Sequence, residues 1–299
     1  MELRQLQYFQ SVGRLLSITK TADKFNIAQP SVTIAIQNLE NELGVQLLDR
    51  SRKRIAFTVE GQLFLQKVDE ILFLLADSVL QLKDTRKLRC GFIRLGITPT
   101  ASGFIFPRIF AEFHTQYPLI ELNSVEEGSL AVIKLLEQGE LDIGIIIISD
   151  LSSSLEVLPI TTEPVVLCLP IDHPLVGTKN ITFDSLKDFP FLLFKEDTYL
   201  RQIILQKCAQ NHITPKIAFS SSQIETIIGL VEEGAGITFL LESIARKHTN
   251  IIGLPLNDPL SVQLGIAWNK KKYLSKASSA FIDFVSSSHF APISRMLRR

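Results

Sequence analysis

The sequence predicts a multidomain α+β protein in which a small helical unit comes first, one long helix follows and an alternating α/β region completes the chain. Apolar residues recur at helical spacing through residues 1–43, and an apolar repeat without proline runs through 64–82. Strand and helix patterns then alternate after residue 90. A chain of 299 residues exceeds the usual size of one hydrophobic core, which favours two or three domains.

Composition limits the classes of protein that remain. Hydrophobic residues make up 46% of the chain and charged residues 21%, which is typical of a folded protein. The formal net charge is zero, so any argument for nucleic acid must come from local charge. The N-terminus lacks the apolar core of a signal peptide and no apolar run reaches membrane-spanning length, so we expect a cytoplasmic protein without a membrane partner.

The three cysteines, Cys90, Cys168 and Cys208, are widely spaced and odd in number. That pattern indicates neither a disulfide framework nor a metal site. We expect these thiols to be buried. A redox-sensing role for one of them remains an alternative hypothesis, because the reactivity of a thiol depends on its exposure and pKa.

Two short helices are predicted at the N-terminus. Apolar spacing from Leu3 to Val12 predicts the first, which ends before a break at 13–17. Ser17 or Thr19 can cap the second, and Asn26 tolerates the left-handed backbone that ends it.

A third helix is predicted from Gln29 to Leu43, with Pro30 in its first turn and Gly44 just past its end. One face is apolar and is expected to pack on the first two helices: Val32, Ile36, Leu39 and Leu43. Polar side chains on the other face can read base edges and phosphates in a major groove. The candidate DNA-binding residues on this helix are Gln29, Pro30, Ser31, Thr33, Ile34 and Gln37.

A basic hairpin follows this helix. Val45 to Leu48 and Ile55 to Thr58 read as short strands. The tip between them supplies cations for the sugar-phosphate backbone: Arg50, Arg52, Lys53 and Arg54. By itself, a polar helix face is more simply interpreted as a solvent-exposed surface than as a DNA-binding one. Because a basic wing follows the three helices, we interpret residues 1–58 as a winged helix-turn-helix that binds double-stranded DNA.

The linker, residues 59–89, is predicted as one long helix. Its apolar residues repeat at coiled-coil spacing: Phe64, Val68, Ile71, Leu75, Val79 and Leu82. Such a stripe commonly buries against its own domain. A helix of this length between two domains has little of its own chain to cover it, so we predict pairing between subunits.

From residue 90 onward, strands are predicted at 92–98, 120–125 and 141–148, and helices at 104–117 and 129–138. The isoleucine-rich run Ile143 to Ile148 suits a strand buried on both faces of a parallel sheet.

The whole chain resembles the LysR-type transcriptional regulators, most strongly in residues 1–65. The resemblance rests on ordered motifs that include Leu3-Arg4-Gln5-Leu6-Gln7-Tyr8-Phe9, Ala28-Gln29-Pro30-Ser31-Val32-Thr33, Leu39-Glu40-Asn41-Glu42-Leu43-Gly44, Leu47-Leu48-Asp49-Arg50, Glu127-Gly128-Ser129 and Gly139-Glu140-Leu141-Asp142. It implies a dimer joined by the linker helix, often paired into a tetramer, that binds pseudo-palindromic promoter DNA and answers to a small inducer.

The resemblance also implies that residues 90–299 form a regulatory domain like a periplasmic binding protein, with two α/β lobes crossed twice by the chain. We place lobe I at about 90–161 and 266–299 and lobe II at about 162–265, with crossings near Thr161 and Gly265. Where many members of the family carry Arg or Gln on the recognition helix, this chain has Ile34 and Ala35. Ile34 can pack on a thymine methyl group or on the domain core, and both readings stay open.

In such folds ligands bind at the carboxyl ends of the strands, where helix N-termini present unpaired amides. The candidate effector-binding residues are Thr98, Thr100, Ser102, Ser129, Ser149 and Ser221. Each alone is more commonly a helix cap, whereas several together favour a small carboxylate or similar anion. Phe194, Lys195 and Tyr199 are weaker candidates for the lobe II side.

The sequence therefore predicts a bacterial transcription factor controlled by a small-molecule effector, with RNA polymerase as a further candidate partner. No phosphate loop, nucleophile elbow or histidine cluster is present in the sequence, so we expect no catalytic residue, metal or cofactor. Two other classes are weighed against this one. A solute-binding or enzyme-like α/β protein would not need residues 1–88, and a DNA-compacting protein would bind without sequence preference and would not need effector lobes.

Overall fold

The computed structural model describes residues 1–49, 55–84, 91–148, 153–178 and 180–287. The chain divides into two compact units, Met1–Lys83 and Asp84–Arg299. The first contains α1 (Leu3–Leu15), α2 (Ile18–Phe25), α3 (Gln29–Leu43), β1 (Leu48–Asp49), β2 (Ala56–Phe57) and most of α4 (Val59–Asp84).

The first unit packs its three short helices, the hairpin strands and the start of α4 around one core. Its fully buried members include Phe9, Val32, Ile36, Leu39 and Val68. Leu43 is the exception in the predicted stripe of α3, because it is partly exposed at the end of the helix.

Helix α1 passes through Gly13, where the sequence predicted a break. A β-carbon at Gly13 would lie 2.9 Å from Leu65 of α4 and 3.2 Å from Phe57 of β2. The glycine therefore permits close packing rather than ending the helix, and α1 instead ends at Leu16, whose φ is 47°.

Helices α2 and α3 begin and end where local chemistry predicts. The Ser17 side chain accepts a hydrogen bond from the Lys20 amide, and Asn26 ends α2 with φ 52°. Helix α3 has Pro30 in its first turn and ends at Gly44, whose φ is 69°.

The hairpin strands are shorter than predicted and pair Leu48 with Phe57. The Glu40 carboxylate of α3 accepts hydrogen bonds from the Leu47 and Leu48 amides, at 2.8 and 3.0 Å, and so attaches β1 to the recognition helix. The tip residues 50–54 lie outside the described residues.

The second unit contains the following elements: β3 (Gly91–Ile97), α5 (Pro99–Phe104), α6 (Phe106–Gln116), β4 (Ile120–Glu126), α7 (Ser129–Glu137), β5 (Ile143–Ile147), β6 (Leu155–Pro170), a short 3-10 helix (Phe183–Leu186), β7 (Pro190–Phe194), α8 (Tyr199–Gln210), β8 (Lys216–Ser221), α9 (Ile224–Glu232), β9 (Thr238–Leu241), α10 (Glu242–Ala245), β10 (Ile251–Leu254), β11 (Leu260–Asn269) and α11 (Lys276–Ser287). The helix predicted over 104–117 is α6, and the short helix α5 before it was not predicted.

A seven-stranded sheet runs in the order β10-β6-β11-β5-β3-β4, with β9 also pairing with β6. Strand β3 is parallel to β4 and to β5, and β5 is buried along its whole length. The sheet is nevertheless mixed, because β11 runs antiparallel to both β5 and β6. A second sheet pairs β7 with β8 in parallel.

The long antiparallel strands β6 and β11 join the two lobes. Residues 264–267 of β11 pair with β5 of lobe I, whereas the later half of β6 pairs with β9 and β10 of lobe II. Their register shifts between Leu264, which faces Thr161, and Gly265, which faces Pro159. This irregularity lies beside the two positions where the sequence placed the lobe crossings.

Candidate DNA-binding face and effector cleft

Helix α3 presents a polar surface directed away from the core of its unit. Gln29, Pro30, Ser31 and Gln37 are exposed, and Thr33 is half-buried. The Gln29 amide nitrogen lies 3.0 Å from the Thr33 hydroxyl, so these two side chains are held together one turn apart. The exposed members leave amide and hydroxyl groups available to bases and phosphates.

Ile34 lies on the same surface. Its side chain is 55% exposed and outside the core cluster, whereas its neighbour Ala35 packs against that cluster. This exposure opposes a role for Ile34 in the domain core, and its contact with a thymine methyl group stays a prediction. The basic tip residues Arg50, Arg52, Lys53 and Arg54 lie outside the described residues, so their part in this face stays a prediction.

The apolar stripe of α4 divides between two roles that its spacing did not separate. Val68 is fully buried in the core of its own unit and Phe64 packs against that core. The prediction of a subunit contact is therefore wrong for Val68, because that side chain is already fully buried in the core of its own unit. Ile71, Leu75 and Val79 are exposed, and the side chain of Leu82 lies outside the described residues.

Among the described side chains, three exposed apolar residues of α4 were missed by the sequence reasoning. Val59 is 72% exposed, and Leu63 and Leu74 are each 60% exposed. We call the exposed apolar set Ile71, Leu74, Leu75 and Val79 the α4 seam. Leu74 lies three residues after Ile71 and four before Ser78, so these three side chains share one face of the helix, and this spacing could have identified Leu74. The other side of α4 is held by Asp69, whose carboxylate accepts hydrogen bonds from Gln10 and Arg14 of α1.

In the second unit, three of the predicted effector-binding residues converge between the lobes. Thr98 lies between β3 and α5, Thr100 lies in the first turn of α5, and Ser129 opens α7. All three are buried, and the Thr98 and Thr100 hydroxyls lie 3.2 Å apart. They line a small cavity of about 10 Å³, which is room for about one water molecule while the lobes are together. The full lining is Thr98, Pro99, Thr100, Ser129, Ile147, Phe194, Thr198 and Leu200.

Ser102 and Ser221 do not line this cavity. The Ser102 hydroxyl donates to the Pro99 carbonyl or to Glu126, at 3.1 and 3.0 Å. The Ser221 hydroxyl accepts a bond from the Gln223 amide at 3.0 Å. Both act as local turn or cap groups, the alternative that the sequence left open, and Ser149 lies outside the described residues.

Lobe II supplies the far wall. Phe194 at the end of β7 lines the cavity as the weaker prediction allowed, whereas Lys195 is exposed. Thr198 and Leu200 were missed. Thr198 immediately precedes α8, where hydroxyl residues commonly cap helices, and this position in the sequence was the signal that could have found it.

A charged network lies at the start of β5, the opposite end of the strand from the cavity. Asp142 accepts hydrogen bonds from Arg94 at 2.9 Å and from Lys272 at 2.6 Å, and Lys272 also donates to two backbone carbonyls. Burial raises the pKa of Asp142, but its hydrogen bonds with Arg94 and the charge of Lys272 together hold that pKa below its usual value. This network fixes one edge of lobe I.

Two cysteines are buried in the second unit. Burial raises the pKa of the Cys168 thiol to about 12 and that of Cys208 to about 11. Both are therefore thiols at neutral pH, which opposes the redox-sensing alternative for these two residues. Cys90 lies outside the described residues.

In the part of the chain that the structure describes, no group of three or more His, Cys, Asp or Glu side chains is arranged to hold a metal ion. Within that same part, no helix is long and apolar enough to cross a membrane.

Comparison with known families matches both units. Residues 3–62 match the bacterial regulatory helix-turn-helix proteins of the LysR family, and residues 86–289 match the LysR substrate binding domain. The chain belongs to the LysR family of transcriptional regulators. Its helix-turn-helix is that of a DNA-binding regulator, and its second unit is the family's effector-binding domain.

Similar proteins include full-length members of the LysR family. The chain is 31% identical over 295 residues to the uncharacterized HTH-type transcriptional regulator YwbI of Bacillus subtilis, with 98% of each chain covered. It is 31% identical over 298 residues to the Hca operon transcriptional activator HcaR of Escherichia coli, with 96% of each covered.

Solved structures of LysR-family proteins share the fold. HinK of Pseudomonas aeruginosa is 27% identical, with a TM-score of 0.58 over 96% of this chain and 98% of HinK. CbnR, solved in complex with its target DNA, has a TM-score of 0.63 over 96% of this chain and 99% of CbnR. At 21% identity, CbnR supports the fold alone.

Proposed function

We propose that this LysR-family regulator binds promoter DNA through α3 and the basic wing, and that a small carboxylate or similar anion in the interlobe cavity controls its activity. The observation that carries the proposal is the convergence of Thr98, Thr100 and Ser129 on one cavity that lobe II closes. These three hydroxyls lie beside the N-terminus of α7 and suit an anion once the lobes part to admit it, because hydroxyls and the amides of a helix start donate hydrogen bonds to anions.

Subunit pairing through the α4 seam completes the proposal. Exposed leucine, isoleucine and valine side chains along one helix favour burial against a second copy of the chain. A two-fold dimer, or a tetramer of such dimers, would place two copies of α3 on a pseudo-palindromic site. We further propose that the protein acts in the cytoplasm by binding rather than catalysis, with RNA polymerase as a partner at the promoter.

DNA binding is tested by electrophoretic shift on the chain's own upstream region, repeated over a range of salt concentrations. We expect a specific complex whose affinity falls as salt rises, because the cations of the wing displace counterions from phosphates. Equal affinity for that region and for random DNA would contradict specific regulation and would favour a DNA-compacting protein.

Effector binding is tested separately by thermal shift against a panel of small carboxylates chosen from the products of neighbouring genes. An effector at a hundred times its Kd should stabilise the second unit by about 2.7 kcal/mol. Ser129→Ala and Thr100→Val should weaken the response about tenfold, since each removes a buried donor. Ser102→Ala is the matched control, because its hydroxyl bonds locally outside the cavity. An equal loss in the control would contradict the assignment.

A further inference from the structure

The two lobes meet at the N-terminus of α7, beside the cavity. Asp197, in the lobe II loop between β7 and α8, reaches across to lobe I. Its carboxylate accepts a hydrogen bond from the Gly128 amide at 3.1 Å, and its backbone carbonyl accepts one from the Leu130 amide at 3.0 Å. Both donors belong to the first turn of α7, whose amides have no partner within the helix.

The cap of α7 therefore comes from the other lobe. A helix is normally capped by the side chain of its own first residue, but the residue at that position is Gly128, which has none. Asp197 supplies the missing acceptor, and its negative charge lies at the positive end of the helix dipole. The α7 cap thus exists only while the lobes are together.

Gly128 and Asp197 are sterically matched. A β-carbon at position 128 would lie 2.4 Å from the Asp197 Cγ atom and equally close to its backbone oxygen. Any residue but glycine would push the loop away. The pairing is thus a fitted contact between lobes rather than a chance approach of an exposed carboxylate.

Other interlobe contacts are consistent with a closed arrangement. Lys247, which follows α10 of lobe II, donates to the Gly103 carbonyl of lobe I at 2.9 Å. A β-carbon at Gly103 would lie 3.5 Å from Ile224 of α9. Gly103 lies on α5 with Thr100, and Gly128 directly precedes Ser129, so both sets of contacts involve the elements that carry the cavity hydroxyls.

We propose that Asp197 is an internal carboxylate ligand of α7, which latches the lobes together until the anionic group of the effector takes its place. The second half of this statement rests on the proposed function, because it assumes an anionic effector that binds beside Ser129 and reaches the adjoining amides of α7. Two carboxylates that share the same amides cannot bind together. Effector binding and the Asp197 latch therefore oppose each other through a linked equilibrium.

The test is hydrogen exchange of the segment 127–132 in the full-length protein, which covers both amides held by Asp197. In Asp197→Ala this segment should exchange roughly tenfold faster than in the wild type, because a charge-assisted hydrogen bond is lost. Glu196→Ala is the matched control: it removes the neighbouring carboxylate, whose side chain is 91% exposed, and should leave the exchange unchanged.

Chemical rescue identifies the vacated place as a carboxylate site. Acetate should restore protection of the segment in Asp197→Ala and should have no effect on the wild type, whereas chloride at equal ionic strength should restore none. The proposal is overturned if Asp197→Ala and Glu196→Ala exchange alike, or if acetate restores no protection.

A second variant guards against a folding failure. In Gly128→Ala the new methyl group should displace the loop and speed exchange as Asp197→Ala does, and combining the two should add little, because both break one contact. Fully additive effects would overturn the latch. Failure of the proposed function would look different: the wild type would respond to no carboxylate while the exchange results for Asp197 still held.

Discussion

The DNA-binding face and the effector cavity expose their polar groups in opposite ways. Gln29, Ser31 and Gln37 lie on the outside of α3, supported by a helix whose apolar side is buried in one small core. Thr98, Thr100 and Ser129 are buried, and two lobes are needed to enclose them. The DNA-binding face is a property of one helix, whereas the effector cavity exists only through contacts between distant segments. Different substitutions should therefore impair DNA binding and effector binding.

The largest expected effect is on the stability of lobe I, which supplies one wall of the cavity. Asp142→Asn leaves the buried Lys272 ammonium without its carboxylate, which should lower the free energy of unfolding of the second unit by about 3–5 kcal/mol. The control is Asp184→Asn, whose carboxylate is exposed and should contribute little. Denaturant melts measure both, and an equal loss would show that the Asp142 network does not support lobe I.

The same network predicts a pH dependence. Because the pKa of Asp142 is lowered in the folded state, its contribution is fully present above the pKa of the unfolded chain, about 3.9. It is lost as pH falls through the folded pKa. The melting temperature of Asp142→Asn should therefore change less between pH 5 and acid than that of the wild type does.

The next prediction separates the two sides of α4. Val68→Ala should destabilise the first unit by about 2 kcal/mol, because it opens a cavity in its core, without dissociating subunits. Leu74→Glu should instead shift the chain toward monomer while its fold is retained, because it places charge in the α4 seam. Melting curves and sedimentation measure the two effects, and a monomeric Val68→Ala would refute this division.

A smaller effect is expected on the open DNA face. Gln37→Ala should weaken promoter binding by about 1–3 kcal/mol, because it removes a base-reading amide without disturbing the core. Thr115→Ala, an exposed polar change on α6 of the other unit, is the control. Titrated electrophoretic shifts compare them. Loss of helical signal in Gln37→Ala would mean that the side chain supports the fold instead.

The smallest effect concerns the buried thiols. Cys168 and Cys208 should resist alkylation in the folded protein at neutral pH, because their raised pKa values keep them protonated. Raised values also mean that their contribution to stability is present below the unfolded pKa, about 8.5, and is lost as pH rises toward 11 and 12. Mass spectrometry after alkylation locates modified cysteines, and rapid labelling of either would contradict the burial.

The first unit was largely predictable because its signals are local. Pro30 and Gly44 mark the ends of α3 through backbone chemistry that acts within a few residues, and α3 has those bounds. Gly13 shows the limit of such reasoning. The same lack of a β-carbon that predicted a break instead admits Leu65, which is far away in sequence.

The sequence by itself determined the family, the three N-terminal helices, the alternation of strands and helices after residue 90 and the hydroxyls at the strand ends. These follow from periodicity, caps and motifs, each readable over a short stretch of chain. Only the tertiary structure decided which side of α4 is free and which hydroxyls share a cavity. It also decided that Asp197, 69 residues beyond Gly128, caps α7, because contacts between distant segments depend on how the two lobes close.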